Sequence, residues 1–492
     1  MKTNYYHLAK APLWMLLFVV FLLAGCHEDP IDPSEGEVLW TDVSGTTLIN
    51  TKEIVIGDMK GDKTYVRESV ILSADGRVEE VMLECPAMSA IPLLNGHEDT
   101  LTTVEGVTLI NKGIITIHTK QIVERFKDQI QTEDYPDRPY YYLRLLGMFG
   151  GKNCTIINEG LIDVYFDHDR DCPFTVYCFG MIGGEGSTIT NKGTIRFHGT
   201  GSPRTRLRGV GTFGNYVTAI NKGTMESQVD MVEDSRMMTS GGSFSFFLNE
   251  GRMIMRQPGR LMAITRYGDN SVINNNLIDI TSVDDPEWGT SVVGEEDHCV
   301  CAFFEPLNPS HRRMPQMVNN GVINVRIEGS ERTHPRTQGY GMFFDVMGET
   351  SKVVDVVNNG YIRVSQSGPK HFDMAELGVV TREEIKDTIA GSFRLNTWKT
   401  ELRDFGKTND LFLARGCNMD FAGGTLLLDR AAGYTEGTAY SVAPEALLYN
   451  AGKDGFIYSY SGYEELTIKS AYPERQDLLW DEDNQMVSLT NR

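Results

Sequence analysis

Four stretches of this chain combine residue types and spacing that could do chemistry. Asp167-His168-Asp169-Arg170-Asp171 is the densest polar cluster. Alternate carboxylates suit a hard cation, so Asp167, Asp169 and Asp171 are candidate calcium ligands, and His168 is a candidate base. A calcium loop of the EF-hand type needs Gly at its sixth position and Glu at its twelfth. Those positions hold Cys172 and Cys178, which makes a solvated loop the plainer interpretation. Glu295-Glu296-Asp297-His298 follows Asp284, Asp285, Glu287 and Trp288. Paired carboxylates with an aromatic ring are what a glycosidase or a sugar-binding groove uses. In Tyr140-Tyr141-Tyr142 a strand would put Tyr140 and Tyr142 on one face. Tyr140, Tyr142 and Trp288 are therefore candidate glycan-binding residues, with packing in the core as the competing role. Arg204, Arg206 and Arg208, and Arg312 and Arg313, are basic candidates without acidic neighbours at a recognisable spacing.

No stretch has the form of a phosphate loop followed by Lys, of His-Glu-x-x-His or of Gly-x-Ser-x-Gly. Gly183-Gly184-Glu185-Gly186 lies at a corner between strands and lacks the helix that phosphate binding requires. The formal charge of −21 argues against nucleic acid and against a polybasic membrane contact. Eight Cys are present, none in a Cys-x-x-Cys pair, which argues against a zinc or redox centre. They are expected as small apolar fillers on inward faces, with Cys172 and Cys178 as the one pair to test for a disulfide.

The elements that must position these residues come from a repeat. An Asn recurs nine times, at Asn50, Asn111, Asn158, Asn191, Asn221, Asn249, Asn274, Asn319 and Asn358. Two places on stands Gly in seven copies, Lys52 and Asn276 being the exceptions. Four places on, and two places before, every copy is apolar. Period-two apolar positions mean strands with one buried face. Asn-x-Gly between them means a tight corner, because Asn and Gly enter positive φ at least cost.

Such a corner could close an antiparallel hairpin or bend one coil of a parallel stack. Stacking explains why position zero is always Asn, since stacked carboxamides can bond to each other and to corner backbone. Successive Asn lie 61, 47, 33, 30, 28, 25, 45 and 39 residues apart. The shorter intervals suit a coil of three short strands, and the longer ones a coil plus an insertion. The expectation is an all-β chain forming a parallel β-helix (β-solenoid) of about ten coils, on the order of 50 Å long. A third strand per coil reads from segments such as Leu143–Gly150 and Thr175–Gly183. Helical spacing predicts short inserted helices over 119–135 and 374–390, the second with Thr381 and Glu384 as a capping box.

The Asn-x-Gly-x-Ile-x-Val corners resemble those of the right-handed parallel β-helix passengers of autotransporter and haemagglutinin-type adhesins, over roughly residues 37–430. The resemblance implies right-handed coils and a role in adhesion, and it departs from autotransporters in having no evident C-terminal membrane β-barrel. Leu23-Ala24-Gly25-Cys26, after the basic Lys2 and Lys10 and an apolar run, resembles the bacterial lipobox. That resemblance implies cleavage before Cys26 and lipid attachment to its sulfur. The acidic residues after it resemble the surface-export signals of some Gram-negative lipoproteins.

The expected organisation is a lipoprotein signal peptide over 1–25, a flexible acidic tether over 26–37, the β-helix over 38–430, and terminal coils with a cap over 431–492. The expected function is a non-catalytic lipoprotein of the outer membrane, facing the exterior, that presents a β-helix rod to a polysaccharide or cell-surface ligand. Its partners would be the membrane, through the lipid, and that ligand, but no nucleic acid. No cofactor is implied other than the candidate calcium. One alternative is a polysaccharide lyase or glycoside hydrolase on the same scaffold, which requires carboxylates and an Arg or Lys to converge on the coil wall. The other is a structural envelope component.

Overall fold

A computed structural model describes residues 38–57, 67–72, 78–90, 104–130, 140–266, 269–284, 298–307, 316–346, 353–381, 392–401, 410–415, 418–419, 425–429, 440–442, 456–457, 467–481 and 486–492. Cys26, the 1–37 segment, Trp288, Glu295–Asp297, Arg312 and Arg313 lie outside them. So do the side chains of Tyr140 and His298.

The chain is a right-handed parallel β-helix. Each complete coil visits three sheets in turn. Thr188–Asn191 lies in a twelve-stranded sheet (sheet 2), Thr194–Gly199 in a nine-stranded sheet (sheet 3), and Thr205–Thr212 in a second twelve-stranded sheet (sheet 1). Neighbouring strands are parallel and in register, so that Asn158, Asn191 and Asn221 are direct partners. This excludes the hairpin alternative. Arg67–Leu72 is the described strand that pairs antiparallel within sheet 1, against Val78–Ser89.

The repeat positions fill the interior. The apolar residues two before each Asn and four after it, such as Ile189 and Ile195, are buried in every coil. Each such side chain contributes on the order of 1.5–3 kcal/mol by leaving water. The Asn column is buried as well, and its carboxamides form one unbroken ladder. Asn50 Nδ2 donates to Asn111 Oδ1 at 2.8 Å. The same link recurs at each step to Asn358, for example Asn191 Nδ2 to Asn221 Oδ1 at 2.9 Å. Each step from Asn50 to Asn249 adds a bond to the backbone of the next coil, as from Asn191 Nδ2 to Thr224 O at 3.3 Å.

The glycine of the corner has a different cause from the one expected. Gly113, Gly160 and Gly193 do not adopt positive φ. Instead the coils approach too closely for a side chain. A Cβ on Gly193 would lie 2.0 Å from Gly160 O, and one on Gly223 would lie 1.9 Å from Gly193 O. Positive φ occurs at the other two corners instead, at Gly45, Gly106, Asn153, Gly186, Gly214, Tyr216 and Phe244 where sheet 1 passes into sheet 2, and at Gly57, Gly199, Gly259 and Gly368 where strands of sheet 3 end.

The stack runs further than the Asn signal. In sheet 2 the partner of Asn358 is Trp398, and the column continues through Leu426 and Ile468. Sheet 2 therefore has twelve rungs against the ten expected. Tyr440–Val442, Gln476–Asp481 and Met486–Asn491 form a separate three-stranded antiparallel sheet.

One inserted helix is present at Thr119–Ile130, with Ile122, Val123 and Phe126 buried. The helix expected over 374–390 is not formed at its start, because Asp373–Thr381 is a strand of sheet 1. Ile385 and Ile389, whose spacing suggested the helix, lie outside the described residues. Glu384 lies outside the described residues. Cys172 and Cys178 are free, buried thiols rather than a disulfide, and burial pushes the Cys172 thiol up to about 11.

Candidate functional site

The outer face of sheet 1 gathers most of the charged and aromatic side chains that could act together. Leu145, Cys178, Leu207 and Leu261 face the core, so the residues flanking them face out. Register then builds two outward columns. One runs Glu84, Arg144, Tyr177, Arg206, Asp234, Arg260, and the other runs Leu146, Phe179, Arg208, Arg236, Met262.

Within this wall Arg206 and Arg208, which lack acidic neighbours in sequence, meet carboxylates of the next coil. Arg206 Nε donates to Glu233 Oε2 at 2.9 Å, and its second terminal nitrogen reaches Glu233 Oε1 at 2.5 Å. Arg206 Nη1 donates to the Tyr177 hydroxyl at 2.7 Å. Arg208 Nη2 donates to Asp234 Oδ2 at 2.7 Å, and Arg236 Nη2 shares that oxygen at 2.8 Å. Arg208 Nη1 donates to the carbonyls of Leu207 and Asp234. Burial alone would raise the Asp234 carboxyl, but the Arg208 and Arg236 guanidiniums outweigh it and hold the carboxyl below the usual range. Tyr177 is enclosed by cations, with Arg206 and Arg208 5.4 and 5.7 Å from its ring centre. Tyr142, a predicted sugar contact, is half-buried with its ring 5.8 Å from that of Tyr177.

Apolar patches flank these charges. Leu146, Phe149, Phe179 and Ile182 cluster on one side, and Met262, Cys301, Tyr340 and Phe343 on the other. The wall is thus a buried ion-pair network between apolar flanks, with a tyrosine pair at its edge.

The acidic cluster works differently from a cation loop. Asp167 Oδ1 accepts from Lys120 N at 2.6 Å and from Thr119 Oγ1 at 3.2 Å, capping the inserted helix from the neighbouring coil. Asp169 and Asp171 are exposed. Among the described residues no group of three or more His, Cys, Asp or Glu could hold a metal ion, so the three Asp are not brought together. His168 is buried, 2.8 Å from Thr119 Oγ1 and 3.3 Å from Thr205 Oγ1, and burial lowers it to about 4. A neutral, enclosed imidazole between two hydroxyls holds the loop and is poorly placed to meet a substrate.

Glu233, Asp234, Arg236 and Tyr177 escape a sequence reading because the partners of Arg206 lie a full coil away. On sheet 3, Tyr165 stands exposed between His118 and His198, with ring centres at 5.7 and 5.0 Å.

No curated protein and no solved structure gives a significant match to the chain. Residues 41–224 match the family model described as the BigA third pectate lyase-like domain, a stretch that includes Arg206 and Arg208 and ends before Glu233 and Asp234.

Proposed function

We propose that this protein is a non-catalytic lipoprotein of the cell surface whose β-helix presents its coil wall for adhesion or glycan binding. One observation carries the choice against catalysis. The guanidiniums of Arg206 and Arg208, on the wall where a lyase would hold its base, are already committed to Glu233, Asp234, Tyr177 and backbone carbonyls. A base that abstracts a sugar proton needs an uncommitted lone pair near the substrate. Anchoring through Cys26 and exposure on the outer membrane rest on the lipobox-like segment and the acidic residues after it.

The second reading, a polysaccharide lyase on the same scaffold, is favoured by the convergence of Arg and carboxylate side chains on one wall. Binding and turnover measured together separate the two, using a glycan panel with acidic polysaccharides, with and without calcium. Binding with the glycan left intact supports the adhesive reading. Shortened or unsaturated products overturn it. Replacing Cys26 by Ala tests the anchor, which predicts release of the protein from the membrane fraction.

A further inference from the structure

The corner between sheets 1 and 2 carries a column of left-handed residues, one per coil. Gly45, Gly106, Asn153, Gly186, Tyr216 and Phe244 have φ of 78, 69, 55, 71, 61 and 59°. A backbone ladder ties them together. The N–H groups of the first five donate to Glu105, Lys152, Glu185, Asn215 and Ser243 O, the residue before the next member in each case, at 2.7–3.1 Å. Gly and Asn suit this conformation, whereas a bulky ring is an outlier whose backbone strain the fold must bear.

Nothing in the core accounts for Tyr216, which is 59 % exposed. Its ring stacks on that of Phe244 in the following coil, with centres 5.3 Å apart and planes at 18°. The preceding coil has Gly186 at the same place, with no side chain. One face of the Tyr216 ring is therefore backed by Phe244, and the other is turned toward the coil of a glycine.

Polar groups surround that cleared space. A Cβ on Gly186 would lie 2.2 Å from Asn153 Oδ1, so the Asn153 carboxamide leans over it. Asn153 Nδ2 donates to Glu105 Oε2 at 3.3 Å. Glu185 is exposed, and its carboxylate makes no hydrogen bond among the described residues. Phe213, 39 % exposed, borders the space, 3.0 Å from where a Cβ on Gly184 would stand.

The geometry points to a saccharide subsite at this corner, for a neutral pyranose chain. The Tyr216 ring stacks on the apolar C–H face of one sugar, and Asn153 and Glu185 take its hydroxyl groups. The inference rests on the glycan-binding reading above and adds the place and the class. The class is neutral because the exposed Glu185 repels a polyuronate on a chain already carrying −21, while Glu105 is partly offset by Lys152 Nζ at 3.9 Å. An anionic lipid headgroup is disfavoured by the same carboxylates. The Gly183-Gly184-Glu185-Gly186 segment then has a role without phosphate, as the floor of the subsite.

Calorimetric titration of the full chain with cellohexaose, mannohexaose, xylohexaose and maltohexaose, and with hexagalacturonate, tests it. At least one neutral hexaose is expected to bind. Tyr216→Gly should weaken that binding about tenfold, the loss expected for one stacked ring. The same variant should keep its thermal midpoint at or above that of the parent, since glycine takes this φ without strain. Tyr165→Ala, which removes a ring 37 % exposed on sheet 3, should leave affinity unchanged. Binding of hexagalacturonate alone overturns this inference and leaves the glycan reading standing. Neutral binding that survives Tyr216→Gly, or is lost equally with Tyr165→Ala, also overturns the assignment. A fall in the midpoint of Tyr216→Gly makes the ring structural. Binding of no glycan removes both readings.

Discussion

Arg208 Nη2 donates to Asp234 Oδ2 at 2.7 Å across neighbouring strands of sheet 1, and both side chains are buried. Deleting Arg208 leaves the buried Asp234 carboxylate with Arg236 as its guanidinium partner. Arg208→Ala is expected to destabilise by about 3 kcal/mol, the low end for a broken buried pair, read by urea denaturation. The pair is also acid-sensitive. The folded carboxyl of Asp234 is depressed, so its contribution is full above the unfolded Asp value of about 3.9 and is lost as pH falls below it. An Arg208→Met, Asp234→Leu double variant should lose that acid dependence and recover only part of the stability, because Arg236 loses the carboxylate it shares with Arg208.

His168 should give a second pH signature, in a higher window. The folded group lies near 4 and the unfolded one near 6.5, so the unfolded chain binds more protons between these values. Stability is then full above about pH 6.5 and declines by about 3 kcal/mol toward pH 4. His168→Gln should flatten this slope in thermal melts between pH 4 and 7. A slope unchanged by the variant would assign the effect to other groups.

The Asn ladder and its glycine corner should fail in different ways. Asn191→Ala removes the donor to Asn221 and leaves one of the two Asn158 Nδ2 hydrogens without its acceptor, at a cost of about 2–4 kcal/mol. Gly193→Ala forces a Cβ against the carbonyl of Gly160, which only movement of the backbone can relieve. It should destabilise at least as much as Asn191→Ala although it removes no hydrogen bond. If Gly193→Ala is neutral in denaturant titrations, close approach of the coils is not the reason for the glycine.

Asp167 and Asp171 distinguish a helix cap from a cation loop. Asp167→Ala should cost about 1 kcal/mol through loss of the bond to Lys120 N, while Asp171→Ala should be near neutral. Chelator should leave both melting curves in place. Equal losses at the two positions, together with sensitivity to chelator, would restore the calcium loop.

What could be read from the residues alone follows from how each signal is written. The ladder was legible because one side chain must serve as donor and acceptor in every coil, which pins Asn at a fixed offset from apolar neighbours. Beyond Asn358 three further rungs of sheet 2 lack the Asn, with Trp398, Leu426 and Ile468 taking its place in the column. The Arg206–Glu233 contact was not legible, because charge pairs between coils follow sheet register and not distance along the chain. For the helix expected over 374–390 the signal came from Ile385 and Ile389, beyond the strand Asp373–Thr381 that occupies its first part. Tyr216 and Phe244 were hidden for the opposite reason. Their conformation is the one glycine announces elsewhere in the column, and the ring masks it.

The ladder also bears on how such a chain can change its length. Asn158 donates to Asn191, and Asn191 to Asn221, through links of the same geometry and sense. Excision of the thirty residues from Asn191 to Ile220 would bring Asn221 to the carboxamide of Asn158, and Gly223 to the carbonyl of Gly160. Within the ladder the new junction repeats an old one, with no carboxamide left over, although Glu233 and Asp234 lose Arg206 and Arg208. Unequal recombination between repeats could therefore shorten or extend the stack by whole turns, making its length a trait that selection can adjust without redesigning a core.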